Sequence, residues 1–362
     1  VRIAQVSPLY ESVPPKLYGG TERVVAFLTE ELVRLGHDVT LFASGDSETS
    51  AELVPGSERA LRLDTGCVDQ LSHHIRMLDE VARRAGEFDV IHFHVDYIHY
   101  PLTRRLGAPH LTTLHGRLDI PDLQPLYRTF AEVPVVSISD SQRAPLPFAN
   151  WQGTVYHGLP PDLFSFHPRP GRYLAFLGRL SRDKRVDRAI AIAKQVGLPL
   201  KIAAKLDDKE PTYFEREVKH LLDPPFIEWI GEVNEKQKDQ FLGGAAALLF
   251  PVDWPEPFGL VMIEAMACGT PVVAFRCGSV PEVMRDGVSG YVVDDLDEAV
   301  RATQCALSLP RARCRAYFEE RFCVARMAEE YLEIYQELVG ARLGASRAAG
   351  RTGAPLADRD VA

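Results

Sequence analysis

The chain has 362 residues, enough for about two domains with a core in each, which excludes a peptide hormone or a mini-protein held by staples. Hydrophobic residues make up 46% and charged residues 25%, a globular composition rather than a disordered or fibrous one. With 41 Lys plus Arg against 50 Asp plus Glu the net charge is -9, which argues against long-range attraction to nucleic acid.

A strand-like run at residues 3–7 opens the chain, with no basic region and long apolar segment of the leader type. No apolar stretch approaches the ~18 residues of a membrane span. The six cysteines are dispersed, without the CxxC spacing of a zinc or redox site. Together these predict a cytoplasmic protein.

After the first run come a helical pattern at 21–35 and strands at 38–43, 89–94, 111–114 and 135–139. Apolar strands alternating with helices predict a mostly parallel sheet covered on both faces, here a doubly wound domain over residues 1–165. A Pro-rich passage at 163–171 reads as a hinge. A second series follows, with strands at 173–177, 200–204, 226–230, 247–251, 271–275 and 291–293 and helices at 184–195, 212–222 and 260–268. It predicts a second domain of the same kind over 171–322, so the fold class is α/β, two doubly wound domains facing each other across a cleft. Residues 311–339 are helical in pattern, with Phe318, Phe322, Met327, Tyr331, Ile334 and Tyr335 apolar among charges. Residues 340–362 lack aromatic residues and have few large apolar ones, which predicts a disordered tail.

Chemistry-bearing residues cluster where loops should follow strand ends. Tyr18-Gly19-Gly20-Thr21-Glu22 links the first strand to the first helix. Backbone amides at such a turn can approach an anion closely, although a plain turn with Thr21 as helix cap explains the same residues. Arg179 and Lys184 flank a bend after the first strand of the second domain and can converge on a diphosphate; the surrounding Arg182, Asp183 and Arg185 also fit a solvated charged face. Glu256 lies in a Pro-Glu-Pro-Phe-Gly turn and Glu264 eight residues on, within a helix. A helical spacing of eight is about 12 Å, wider than a hydrolytic carboxylate pair, so the two predict different roles. Glu264 can accept from vicinal ribose hydroxyls or form an ion pair on its helix. Gly278 and Glu282 mark another strand-to-turn segment, Glu282 being either a cleft residue or a local cap.

Gly19-Gly20, Arg179 with Lys184, and Glu256 with Glu264, together with Gly269-Thr270-Pro271 and Pro281-Glu282-Val283, resemble the family 4 retaining glycosyltransferases of GT-B fold across residues 1–339. The resemblance implies a hexosyltransferase whose donor is a nucleotide diphosphate sugar, UDP-glucose-type ahead of GDP-mannose, with no obligatory cofactor or metal. It implies that Gly19 and Gly20 meet the donor, that Arg179 and Lys184 hold the diphosphate, that Glu264 holds ribose, and that Glu256 with Phe258, Gly259 and Leu260 orients the sugar. His115 matches the family's cleft histidine, and His115, Arg179, Lys184 and Glu256 form the implied catalytic set. The terminal helix, 323–339, is implied to cross back onto the first domain. The acceptor would be a hydroxyl of a small molecule, lipid or glycan, with peripheral membrane contact if it is a lipid.

The sequence departs from the family at Tyr156-His157-Gly158, where relatives carry an Asn-Gly segment, and at Ala203-Ala204-Lys205, in place of a glycine-rich strand end. Further candidate cleft residues are His94, Ser139, Asp140, Arg143, His157, Lys205 and Glu282; helix capping accounts equally for Ser139-Asp140. His92 and His94 share one strand face and carry a rival reading as metal ligands, without remaining ligands to complete a site. A nucleotide-sugar epimerase of similar fold and a non-catalytic nucleotide-sugar binding protein are the alternatives.

Overall fold

The computed structural model describes residues 1–16, 19–206 and 211–351. The β-branched and aliphatic runs form two parallel sheets. The first holds β1 (Arg2–Val6), β2 (Asp38–Ser44), β3 (Glu52–Ser57), β4 (Val90–Phe93), β5 (His110–Thr113), β6 (Pro134–Ser137) and β7 (Asn150–Thr154) in the order β3-β2-β1-β4-β5-β6-β7. The second holds β8 (Leu174–Leu180), β9 (Leu200–Leu206), β10 (Ile227–Gly231), β11 (Ala247–Phe250), β12 (Val272–Phe275) and β13 (Gly290–Val293) in the order β10-β9-β8-β11-β12-β13. Central strands such as Val90–Phe93 and Ala247–Phe250 are buried at every position, as a sheet covered on both faces requires. Strand order reverses between β1 and β4 and again between β8 and β11, and loops leaving those carboxyl ends open crevices.

Two strands escape the pattern of the sequence, and both are edges. β3 contains Pro55 and Gly56, and β7 contains Gly153, so neither carries an apolar run. The segment expected as one helix at 212–222 is instead Pro211–Tyr213, a π-type turn Phe214–Val218 and a 3-10 turn Lys219–Leu221.

The helical pattern at 311–339 divides into Arg311–Arg321 and Val324–Arg351. At the break, Leu159 N–H donates to the Phe322 carbonyl at 2.8 Å and Val324 N–H donates to the Leu159 carbonyl at 2.9 Å. A Cβ on Gly158 would stand 2.6 Å from the Cys323 carbonyl oxygen, so only glycine admits this crossing. Beyond it Val324, Met327, Ala328, Tyr331, Ile334 and Tyr335 recur at helical spacing and pack on Ile3, Val24, Leu28 and Val90 of the first domain. Burying each large side chain contributes roughly 1.5–3 kcal/mol, which ties the chain's end to its beginning.

The helix does not stop at 339. It continues to Arg351, which corrects the expected disordered tail over that stretch; residues 352–362 lie outside the described residues. The compositional reading weighed missing burial against ordering entropy and passed over the helix propensity of Ala, Arg and Leu, which continues a helix already nucleated.

Candidate active site

Loops from both sheets enclose a cavity of about 490 Å³. Its first-domain wall includes Gly19 and Gly20 after β1, His94 after β4, His115 after β5 and His157 after β7. Facing them are Arg179, Lys184, Lys205, Glu256, the Phe258-Gly259-Leu260 turn and Glu264. Tyr18, which precedes the paired glycines, lies outside the described residues. Arg179 belongs to the strand itself, since β8 runs to Leu180.

Four candidates lie elsewhere. The Glu282 carboxylate accepts from the Asp140 and Ser141 backbone N–H groups, each at 2.7 Å, and from the Tyr156 hydroxyl at 3.1 Å. It is an inter-domain fastener. Ser139 Oγ caps the short helix Asp140–Arg143 by accepting from Gln142 N–H, Asp140 accepts from the Thr154 hydroxyl, and Arg143 donates to Thr154 while lying over the Trp151 ring. Glu282 therefore joins the domains beside the cleft, while the side chains of Ser139, Asp140 and Arg143 bond within the first domain instead of lining the cavity. The capping alternative prevails because exposed helix-start N–H groups need acceptors and Glu282 is within reach.

On the second-domain wall, Lys184 Nζ contacts Glu256 Oε2 directly, Trp254 Nε1–H donates to the same oxygen at 3.0 Å, and the ammonium lies 4.9 Å from the Trp254 ring centroid. Two residues assigned to different parts of a ligand thus neutralise each other in a half-dry wall. Arg179 Nη2 lies 3.7 Å from Asp183 Oδ2, and Asp183 also accepts from the Ser181 hydroxyl, so it braces the bend instead of capping a helix. Gly278 has φ 56°, and a Cβ there would stand 2.4 Å from the Glu256 backbone. This glycine backs the Glu256 loop.

Glu264 is 2% exposed, and its Oε1 accepts from Lys238 Nζ at 2.9 Å and from Arg23 Nη1 at 3.4 Å. Arg23 also pairs with Glu235 at 2.9 Å. Burial raises the Glu264 carboxyl pKa, but Lys238 and Arg23 outweigh it and leave the group below its ordinary range. Glu235 goes the other way, raised by burial in spite of the same cations. Sequence reading did not assign Arg23 or Lys238, because a pair 241 residues apart leaves no local spacing to read.

His94 and His115 are joined Nδ1 to Nε2 at 2.9 Å, and the His115 ring stacks on His157 with centroids 5.4 Å apart. Burial lowers the His115 pKa to about 3 and drives those of His94 and His157 well below the imidazole range. His92 engages the Tyr335 hydroxyl and the Thr113 hydroxyl, each at 2.7 Å, and His94 Nε2 engages Gln5 at 2.8 Å. Both nitrogens of both rings therefore have protein partners, which removes the metal-ligand reading of the pair. Among the described residues no three His, Cys, Asp or Glu side chains converge as a metal-ligand group. Asp96, which follows the His92 and His94 pair, lines the first-domain wall with φ 50°, and burial pushes its carboxyl up to about 6.

Neutral burial has a pH signature. His92, His94, His99 and His157 all have folded pKa values depressed by burial, so the unfolded chain takes up their protons first. Stability is then intact above the unfolded imidazole value of 6.5 and is lost as pH falls below it toward the depressed values. Each histidine contributes a slope of up to about 1.4 kcal/mol per pH unit. Melting temperature should fall steeply from pH 6.5 to 4.5, and a flat profile there would contradict neutral burial.

A family model described as Glycosyltransferase Family 4 matches residues 18–197, and one described as Glycosyl transferases group 1 matches residues 164–320. The chain belongs to the GT-B glycosyltransferase superfamily. It is similar to the alpha-maltose-1-phosphate synthase of Mycolicibacterium smegmatis, 25% identical over 403 residues, covering 93% of this chain and all of the relative. It is also 27% identical over 345 residues to the D-inositol 3-phosphate glycosyltransferase of Frankia alni, covering 78% of this chain and 83% of the relative. Among solved structures AviGT4, a glycosyltransferase involved in avilamycin A biosynthesis, superposes with a TM-score of 0.72 at 25% identity over 94% of this chain and 98% of that one. As a glycosyltransferase the chain is an enzyme that draws a sugar from a nucleotide diphosphate sugar, and among its described residues no helix is long and apolar enough to cross a membrane.

Proposed function

We propose that this enzyme transfers a hexosyl unit with retention of anomeric configuration, the diphosphate of its donor lying between Arg179 and Lys184. The observation that carries the proposal is the Lys184–Glu256 contact in the cleft wall. An arriving diphosphate draws the ammonium toward itself and releases the Glu256 carboxylate to accept from sugar hydroxyls, so one charge exchange prepares both halves of the site. The Phe258-Gly259-Leu260 backbone then orients the sugar beside His115, Gly19 and Gly20 face the donor, and Glu264 takes the ribose hydroxyls.

In the reaction the acceptor oxygen bonds to the anomeric carbon on the face from which the diphosphate leaves. The carbon–oxygen bond to the diphosphate breaks, and a departing phosphate oxygen receives the acceptor proton. Arg179 and Lys184 stabilise the charge that gathers on that leaving group, an interaction stronger in the transition state than before it. His115 is not the base, since burial holds its imidazole too weakly basic at about 3. UDP-glucose is the first donor to test and GDP-mannose the second, against acceptors bearing a free hydroxyl on a small molecule, a lipid or a glycan.

Thermal shift against UDP, GDP and ADP, with and without magnesium, tests the donor reading. At a hundredfold excess over Kd, one nucleotide should add about 2.7 kcal/mol of stability without magnesium. Absence of a shift with all three, backed by calorimetric titration, contradicts it. An epimerase or hydrolase would release free sugar or an isomerised donor without acceptor; the transferase should do neither at a comparable rate.

A further inference from the structure

Behind the cleft runs a chain of polar side chains that the proposed donor contacts leave unused. Gln5 on β1, His92 on β4 and Thr113 on β5 point toward the terminal helix, where Tyr331 and Tyr335 stand one turn apart. The Gln5 amide nitrogen donates to the Tyr335 hydroxyl at 3.2 Å, and its oxygen faces His94 Nε2 at 2.8 Å. The Tyr335 hydroxyl meets His92 Nδ1, His92 Nε2 meets the Thr113 hydroxyl, and that hydroxyl meets Tyr331 at 2.8 Å. All six side chains are buried.

The orientation of one amide propagates through this chain. An amide oxygen only accepts, so His94 Nε2 carries the proton it shares with Gln5. Burial holds His94 neutral, so its Nδ1 is a lone pair. His115 Nε2, 2.9 Å away, must then donate, and His115 has no second proton. His115 Nδ1 is left as a bare acceptor, and it is a buried atom to which no described protein group bonds.

We propose that His94 is a positioning residue whose hydrogen bond, oriented by the Gln5 amide oxygen, holds His115 in the tautomer that offers the Nδ1 lone pair to a hydroxyl of the transferred sugar. The site thereby selects a hydroxyl, which can donate, over a carbonyl or carboxylate oxygen, which cannot. The inference rests on the reading of His115 as a cleft contact for the sugar. The terminal helix acquires a role beyond packing, because the Tyr335 hydroxyl accepts from the Gln5 amide nitrogen.

Nitrogen-15 histidine NMR of the ligand-free full chain at neutral pH reads the tautomers directly, with His115→Asn and His94→Leu serving as assignments. His94 and His115 should both carry the proton on Nε2, and in His94→Leu the Nδ1-protonated form of His115 should appear. An Nδ1-protonated His115 in the wild type, or an unchanged His115 tautomer in the variant, overturns the proposal. Should His94→Leu fail to fold, Gln5→Leu breaks the chain one link further from the cleft and is read by the same criterion. In donor turnover, Gln5→Leu should lower kcat severalfold in the wild-type background and cause no further loss in His115→Ala; equal losses in both backgrounds overturn the relay. An Nε2-protonated His115 in a protein that binds no nucleoside diphosphate would uphold the positioning and remove the donor reading instead.

Discussion

Replacing Arg179 with alanine should lower turnover by about a hundredfold to a thousandfold, the range for removing one donor from a developing anion. The side chain is 28% exposed at the end of β8, and its distance of 3.7 Å from Asp183 makes that ion pair a minor prop. Loss of kcat without loss of fold is the signature of charge stabilisation at the transition state. Arg179→Lys should fall between, keeping the charge but not the planar fork that grips two phosphate oxygens. Lys184→Ala is a less clean test, because it also strips Glu256 of its counter-ion. Wild-type turnover by Arg179→Ala would contradict the assignment.

Glu264→Ala should do something different: destabilise the protein by about 3–5 kcal/mol, the usual result of removing one partner from a buried ion pair. Lys238 and Arg23 would be left as two buried cations that have lost the carboxylate they share. At roughly 2–4 °C per kcal/mol for a domain of this size, the melting temperature should drop by about 10 °C. Glu264→Gln, which keeps an acceptor oxygen, should lose less stability and still weaken nucleotide binding. Calorimetry and nucleotide titration on the two variants separate the structural role from the ligand role. An alanine variant that melts with the wild type would show that the ion network does not hold the domains. Because Arg23 comes from the first domain and Glu264 from the second, the network spans the two domains.

Much of the fold and part of the site could be read from residue order alone, and the boundary between legible and illegible is physical. Buried parallel strands such as Val272–Phe275 announce themselves because both faces must be apolar, whereas the edge strand Glu52–Ser57, with its proline and glycine, has no such obligation. Gly19-Gly20, Arg179, Lys184, Glu256 and Glu264, singled out as a set by their resemblance to a family pattern, all line one cavity. Their pairings could not be read in the same way. The union of Lys184 with Glu256 depends on β8 and β11 lying side by side in one sheet, that of Arg23 with Glu264 on how two sheets face each other, and Glu282 was legible as a polar loop residue but not as the cap of a helix in the other domain. The run of helix to Arg351 shows the converse limit: composition judged burial and missed propensity.

Displacement of Glu256 from Lys184 by an arriving diphosphate is the expected first event in the cleft. It is tested most directly by a crystal structure of the protein with the nucleoside diphosphate that gives the largest thermal shift. Phosphate oxygens should lie within hydrogen-bond distance of both Arg179 and Lys184, with the Lys184 ammonium drawn off the Glu256 carboxylate. A nucleotide seated in the cleft with the Lys184–Glu256 pair intact, or with its diphosphate away from Arg179, would contradict it.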